Sequence, residues 1–217
     1  MTSPGAPSRL YDITPLVDER IAVWPGDTPY AAKDLLRMED GASVHLSTLT
    51  LSCHTGAHAD APGHYVKGAE GIDAVPLERY LGPCLLVEVK PKGNAIRPED
   101  LAGVDLEGAE RLLLRTGCIK DRTVFPQPVI FPSVELVEAA AAAGIVLIGL
   151  DSPSFDAFDS KDLPVHKALY RHGIVNLENL ALAGVPPGRY ELIALPLRLK
   201  GRDGSPVRAV LRPLGRA

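Results

Sequence analysis

The sequence predicts an α/β fold built on a mixed sheet, and three observations carry that prediction. Runs of β type are interspersed with two helical stretches. One of those helices lies between two apolar strand candidates, the arrangement of a βαβ unit. Twenty Gly and twenty Pro cut the chain into short elements joined by many turns, without making any stretch low in complexity. At 217 residues the chain suits one domain with a sizeable core, and no linker divides it. Residues 10–217 are expected to form that domain. Residues 1–9 lack an apolar stretch and are expected to be a short flexible arm.

The first strand is expected at 21–23 and the second at 45–53. Within the second, Leu49, Leu51 and Cys53 share one face, while Thr48, Thr50, Ser52 and His54 share the other. That parity sends Cys53 to the core and His54 to the polar side. Further strands are expected at 85–89 and 111–115. Ser133 can cap a helix that runs to Ala143, with Gly144 as its stop. Residues 145–150 then read as a buried strand. Asp151 and Ser152 follow it, at the strand end where α/β sites commonly lie, and are candidates for supporting a site. Asp162 can cap a second helix, with Pro164 in its first turn, His166 inside it and Gly173 past its end. Strands at 175–177, 191–198 and 207–211 complete the reading.

Composition excludes several function classes. Hydrophobic residues make up 46% and charged residues 23%, as in an ordinary soluble globular protein. The net charge of −4 leaves no basic footprint for nucleic acid. The longest apolar run, 136–150, is interrupted by Glu138 and Gly144 and is too short to span a bilayer. No membrane association is expected, and with no signal segment in view the expected location is the cytoplasm. Cys53, Cys84 and Cys118 are odd in number and have no C-x-x-C spacing, which fits a reducing compartment.

The chemistry concentrates in His54-Thr55-Gly56-Ala57-His58-Ala59-Asp60-Ala61-Pro62-Gly63-His64. Three of the six histidines and a carboxylate fall within this one segment. Imidazole nitrogen with carboxylate oxygen is a ligand set for zinc and other divalent first-row metals. His54 and His58 are four apart, but Gly56 and Pro62 argue against a helix. In an extended or looped segment His54, His58 and Asp60 have equal parity and can converge. His64 lies beyond Pro62 and is either a fourth ligand or a general acid/base beside the metal. Trp24, the only tryptophan, either packs in the core or stacks on an aryl substrate from a loop before Pro25-Gly26. Neither His45 nor His172 is given a catalytic role. On residues alone, His166 reads as a helix-surface residue and Glu178 as a solvated charge, although Leu177 and Leu180 make burial of Glu178 plausible.

The segment resembles the H-T-G-T-H-x-D-x-P-x-H signature of the cyclase-like metal-dependent hydrolases, with Ala57 in place of the second Thr. The resemblance extends over nearly the whole chain after Arg9. Trp24-Pro25-Gly26-Asp27-Thr28-Pro29, Gly149-Leu150-Asp151-Ser152-Pro153-Ser154, Leu177-Glu178-Asn179-Leu180 and Ser205-Pro206-Val207-Arg208-Ala209 are similar to the bacterial kynurenine formamidase branch of that family. It implies a swivelling β/β/α-like domain, a homodimer and two divalent metal ions, zinc first, with manganese or another first-row metal as alternatives. By position it implies His54, His58 and Asp60 as ligands of one ion and His166 as a ligand of the second. Glu178 and Asp60 would be shared carboxylates, His64 the acid/base and Trp24 a substrate contact. The implied reaction is hydrolysis of N-formyl-L-kynurenine to L-kynurenine and formate by water activated at the metals. The alternatives are an isatin hydrolase-like or other cyclic or aryl amidase, and a metal-binding protein without turnover.

Overall fold

The computed structural model describes residues 10–214, so the expected arm at 1–9 lies outside the described residues. The strands and helices, in chain order, are β1 (Tyr11–Asp12), β2 (Ala31–Leu36), β3 (Leu46–Thr50), β4 (His58–Asp60), β5 (Leu81–Glu88), β6 (Ala95–Ile96), β7 (Arg111–Arg115), β8 (Phe131–Pro132), α1 (Val134–Ala142), β9 (Leu147–Leu150), α2 (Pro164–Arg171), β10 (Val175–Glu178), β11 (Gly188–Ile193), β12 (Gly204–Pro206) and β13 (Val210–Pro213). Nine strands form one sheet in the order β1-β13-β11-β5-β7-β9-β10-β4-β12. The β5-β7-β9-β10 centre is parallel and both flanks are antiparallel, so the sheet is mixed as expected.

The βαβ reading holds: β7 and β9 pair in parallel with α1 between them in the chain. Ser133 Oγ accepts the Leu136 N–H, and Gly144 has φ +83°, the left-handed conformation that ends a helix at little cost in glycine. Strand periodicity then divides the core in two. Leu112 and Leu114 of β7, with Ile148 and Leu150 of β9, face a layer made by Leu136 and Val137 of α1 and Val165 and Leu169 of α2. Leu113 and Leu147 face the other way, into a second cluster. That cluster joins Leu211 of β13 to Ala59 of β4, although five strands separate β13 from β4 in the sheet order. Such distant strands share one core because the sheet curls. Both α-helices therefore cover the same face, and the curled sheet encloses the other.

Several local expectations are corrected. Residues 21–23 form no strand; the Ala22 N–H makes a single backbone bond to Arg122 O. The strand expected at 45–53 is Leu46–Thr50, and Cys53 lies in the following turn, partly exposed. Its pairing with β2 makes a hairpin whose strand residues are all exposed, so the apolar parity of Leu49 points at no core among the described residues. Asp162 does not cap α2. Leu163 occupies that position at φ +46°, and the Asp156 carboxylate accepts the Val165 and His166 N–H groups instead. The strand expected at 191–198 is Gly188–Ile193, because Pro196 ends the regular ladder with one isolated bridge to Val207. The strand expected at 207–211 is Val210–Pro213, and Val207 makes the isolated bridge to Pro196. No helix among the described residues is long and apolar enough to cross a membrane.

Candidate metal centre

Cross-strand register builds the centre of the site. β10 and β4 run antiparallel with Glu178 directly opposite His58 and Leu177 opposite Ala59. Side chains alternate along each strand, so Glu178 and Asn176 of β10 share a face, as do His58 and Asp60 of β4. All four are buried. His166 is brought over them by α2, and His54 reaches in from the turn before β4. The neighbouring strand leaves room for His54: a Cβ at Gly204 would sit 2.9 Å from Ala59 O and 3.1 Å from His54 Cε1.

The distances are those of a compact donor set. His58 Nε2 lies 3.4 Å from Asp60 Oδ1 and 3.4 Å from Glu178 Oε2. His166 Nε2 lies 3.6 Å from Asp60 Oδ2 and 3.4 Å from Glu178 Oε1. Each carboxylate thus turns one oxygen to His58 and the other to His166. His54 Nδ1 joins the first side, 2.9 Å from Asp60 Oδ1. Asn176 Nδ2 donates to Asp60 Oδ2 at 2.7 Å.

The outward nitrogens of the same three histidines are each held by an acceptor. His58 Nδ1 is 2.9 Å from Gly56 O, His54 Nε2 is 3.1 Å from Asp203 Oδ2, and His166 Nδ1 is 2.6 Å from Asp156 Oδ2. Such an outer partner selects the tautomer and aims the free nitrogen at a metal. His64 differs. It is exposed, its ring lies against that of His54 with centroids 4.3 Å apart, and its Nδ1 is 3.9 Å from Asp203 Oδ2.

The electrostatics of the site suit cations. Neither Asp60 nor Glu178 has a Lys or Arg partner among the described residues. Burial alone would push the His58 pKa down, but the Asp60 and Glu178 carboxylates carry it up to about 10. Burial likewise opposes, and Asp156, Asp60 and Glu178 outweigh it, at His166, whose pKa is raised well above its ordinary value. Asp60 is held well below the usual carboxylate range by its three histidines, against the effect of burial. Protons on buried histidines thus balance the carboxylates, and a divalent ion can take their place. The fit is direct: His58 Nε2 and Asp60 Oδ1 are buried without a hydrogen-bond partner, and one donor atom from each of His58, Asp60 and Glu178 lies within 4.8 Å of the others. A second group of the same kind is His54, Asp60 and His64.

These groups line a cavity of about 360 Å³ whose other walls include Ile21, Trp24, Val124, Phe125, Pro126 and Leu163. Trp24 packs edge-on to Phe125, centroids 5.2 Å apart, and stacks on Phe158 at 5.1 Å and 29°. It therefore belongs to a wall of the cavity and not to either core cluster.

A chain with this constellation has known relatives. The Cyclase family model matches residues 11–157. The chain belongs to the Cyclase family. It is 45% identical to a kynurenine formamidase of Salinibacter ruber over 208 residues, 94% of this chain and 97% of the relative. It is also 45% identical to a kynurenine formamidase of Polaromonas naphthalenivorans, over 95% and 92% of the two chains. A family structure described as a potential metal-dependent hydrolase with cyclase activity superposes with a TM-score of 0.80 at 29% identity, covering 94% of this chain and 96% of its own.

His54, His58, Asp60, His64, His166 and Glu178, the residues that the resemblance implied, line one cavity together with Trp24. Asp151 does not reach it. Its carboxylate accepts the Thr116 and Gly117 N–H groups and the Thr116 hydroxyl, which ties down the turn after β7. Ser152 is buried beside it, and its backbone O accepts the Asn179 N–H. Sequence reasoning missed Asn176, Asp156 and Asp203. The alternation Val175-Asn176-Leu177-Glu178 did carry a signal for Asn176, since both polar residues must share one face of a strand. Asp156 and Asp203 lie in loops and carried none.

Proposed function

We propose that this protein hydrolyses N-formyl-L-kynurenine to L-kynurenine and formate with two divalent metal ions, zinc first. One observation carries the reading: Asp60 and Glu178 each divide their two oxygens between His58 and His166, the pattern of carboxylates shared by two ions. The relatives named kynurenine formamidase supply the substrate. His54, His58 and Asp60 would hold one ion and His166 the other, with Asp60 and Glu178 common to both. Bound there, the ions would polarise the formyl carbonyl and lower the pKa of water in the site.

The protein's own residues do the rest. Trp24 and Phe125 offer aromatic surface to the aryl ring. Burial lowers the His64 pKa, so its ring is neutral at pH 7 and free to take the water proton on a ring nitrogen. It then returns that proton to the departing aryl amine. Asp203 and Asp156 keep His54 and His166 aimed inward. Two further features belong to this reading. The exposed β2–β3 hairpin favours a homodimer, and the free thiols Cys53, Cys84 and Cys118 favour the reducing cytoplasm.

The test is turnover of N-formyl-L-kynurenine by metal-loaded protein, followed by the absorbance of kynurenine. Cleavage of isatin or another cyclic amide with no action on the formamide would overturn the substrate assignment. Stoichiometric metal with no amide hydrolysis at all would favour a binding protein.

A further inference from the structure

The ions and His64 account for the reacting formamide, and the aromatic wall accounts for the ring. They leave the Arg side chain of the cavity wall without a task. Arg122 is the only Lys or Arg among the residues that line it. Its Nη1 donates to Asn179 O at 2.9 Å and its Nη2 to Leu180 O at 2.7 Å. These carbonyls directly follow Glu178 in the chain, so the guanidinium is tied to the strand end that carries a site carboxylate.

A guanidinium has five N–H donors, and these two bonds use only part of the set. No carboxylate lies within ion-pair distance of Arg122 among the described residues; Asp151, whose charge acts on it from farther away, binds the Thr116 and Gly117 amides instead. Burial lowers its pKa, with Asp151 and Cys118 opposing, and a guanidinium remains charged at neutral pH in spite of such a shift. The protein thus keeps a half-buried, permanently charged guanidinium, bonded to two backbone carbonyls but to no carboxylate among the described residues, on the wall of the pocket. A partly desolvated cation of this kind is costly unless an anion meets it, and the planar fork suits a carboxylate in particular.

We infer that Arg122 is the residue that selects carboxylate-bearing aryl formamides, by pairing with the substrate carboxylate while the formyl group sits at the metal centre. The inference rests on the formamidase reading and deepens it. It makes the specificity of the site a matter of two walls: Trp24 and Phe125 for the ring, Arg122 for the anion.

The test compares two substrates in metal-loaded wild type, Arg122→Gln and Arg122→Lys. One is N-formyl-L-kynurenine; the other is 2-formamidoacetophenone, which keeps the aryl ketone and formamide but lacks the amino-acid group. The preference for the carboxylate-bearing substrate, as a ratio of kcat/KM values, should fall on the order of 10–100-fold in Arg122→Gln, mainly through KM. Arg122→Lys should recover part of it, since charge is kept and the fork is lost. An equal loss on both substrates would mean that Arg122 only props the Asn179–Leu180 backbone, and would overturn the inference. So would an unchanged preference. Calorimetric binding of L-kynurenine and of 2-aminoacetophenone to the same three proteins gives a readout that needs no turnover. If wild type cleaves neither formamide, the formamidase reading fails. The anion site then stands or falls on whether Arg122→Gln selectively weakens L-kynurenine binding.

Discussion

At the scale of single residues, the site separates histidines by what lies behind them. His54, His58 and His166 each have an acceptor on the outer nitrogen, whereas His64 faces Asp203 only at 3.9 Å. His64→Ala is therefore expected to keep its metal and lose about 100- to 10,000-fold in kcat. Metal analysis beside the kinetics decides this, and loss of metal would make His64 a ligand. Protonation gives a second expectation. In the metal-free protein at pH 7, His58, with a pKa of about 10, and His166, raised well above its ordinary value, both carry protons, while Asp60 is already ionised. Metal must displace those protons, so loading should acidify a weakly buffered solution, and apparent affinity should climb with pH towards about 10. The stability that the raised His58 pKa lends the metal-free protein is fully present below the ordinary histidine value. It disappears as pH rises through about 10. Metal uptake at pH 7 without proton release, read with an indicator dye, would contradict this account.

Elements set the distances within the site, and the central strands do so by packing closely. A Cβ at Gly149 of β9 would meet Leu113 Cδ2 at 2.6 Å, Leu180 Cδ1 at 2.9 Å and Leu177 Cβ at 3.3 Å. β9 pairs with both β7 and β10, so these contacts lie next to the strand that carries Glu178. Gly149→Ala should destabilise the protein by about 1–3 kcal/mol through overpacking. The urea midpoint should fall with an unchanged slope, and an unaltered midpoint would show that β9 can shift at no cost. The same elements show how far local pattern carried the fold. β7 matches its expected bounds at 111–115, and α1 starts and stops where Ser133 and Gly144 place it, because capping and strand periodicity act within a few residues. The start of α2 failed that test. Its capping carboxylate, Asp156, comes from a separate loop, and Asp162 had the better local position but not the bond.

For the whole molecule, the β2–β3 hairpin is the feature that a lone chain leaves unexplained. Leu35, Leu36, Met38, Val44, Leu46 and Leu49 are 44–59% exposed on it, an apolar surface that a second copy can bury. The protein is expected to sediment as a dimer. Leu36→Glu combined with Leu46→Lys should yield monomer while keeping the hairpin, because the two positions are cross-strand partners and the new charges attract. A monomeric wild type would sink the proposal.

The sequence by itself determined the ligand-rich turn, the βαβ centre and the presence of a mixed sheet. These depend on residue chemistry and on periodicities that close within one element or one crossover. It singled out His166 and Glu178 as candidates only through family resemblance, because nothing near them in the chain marks them as donors to a site. The tertiary structure decided that Glu178 stands opposite His58, that α2 carries His166 over both carboxylates, and that Asp156, Asp203 and Asn176 support them. Those juxtapositions follow from strand register and the curl of the sheet, which join residues up to 149 positions apart. Such pairings are set by the burial of the whole core, and no local pattern encodes them.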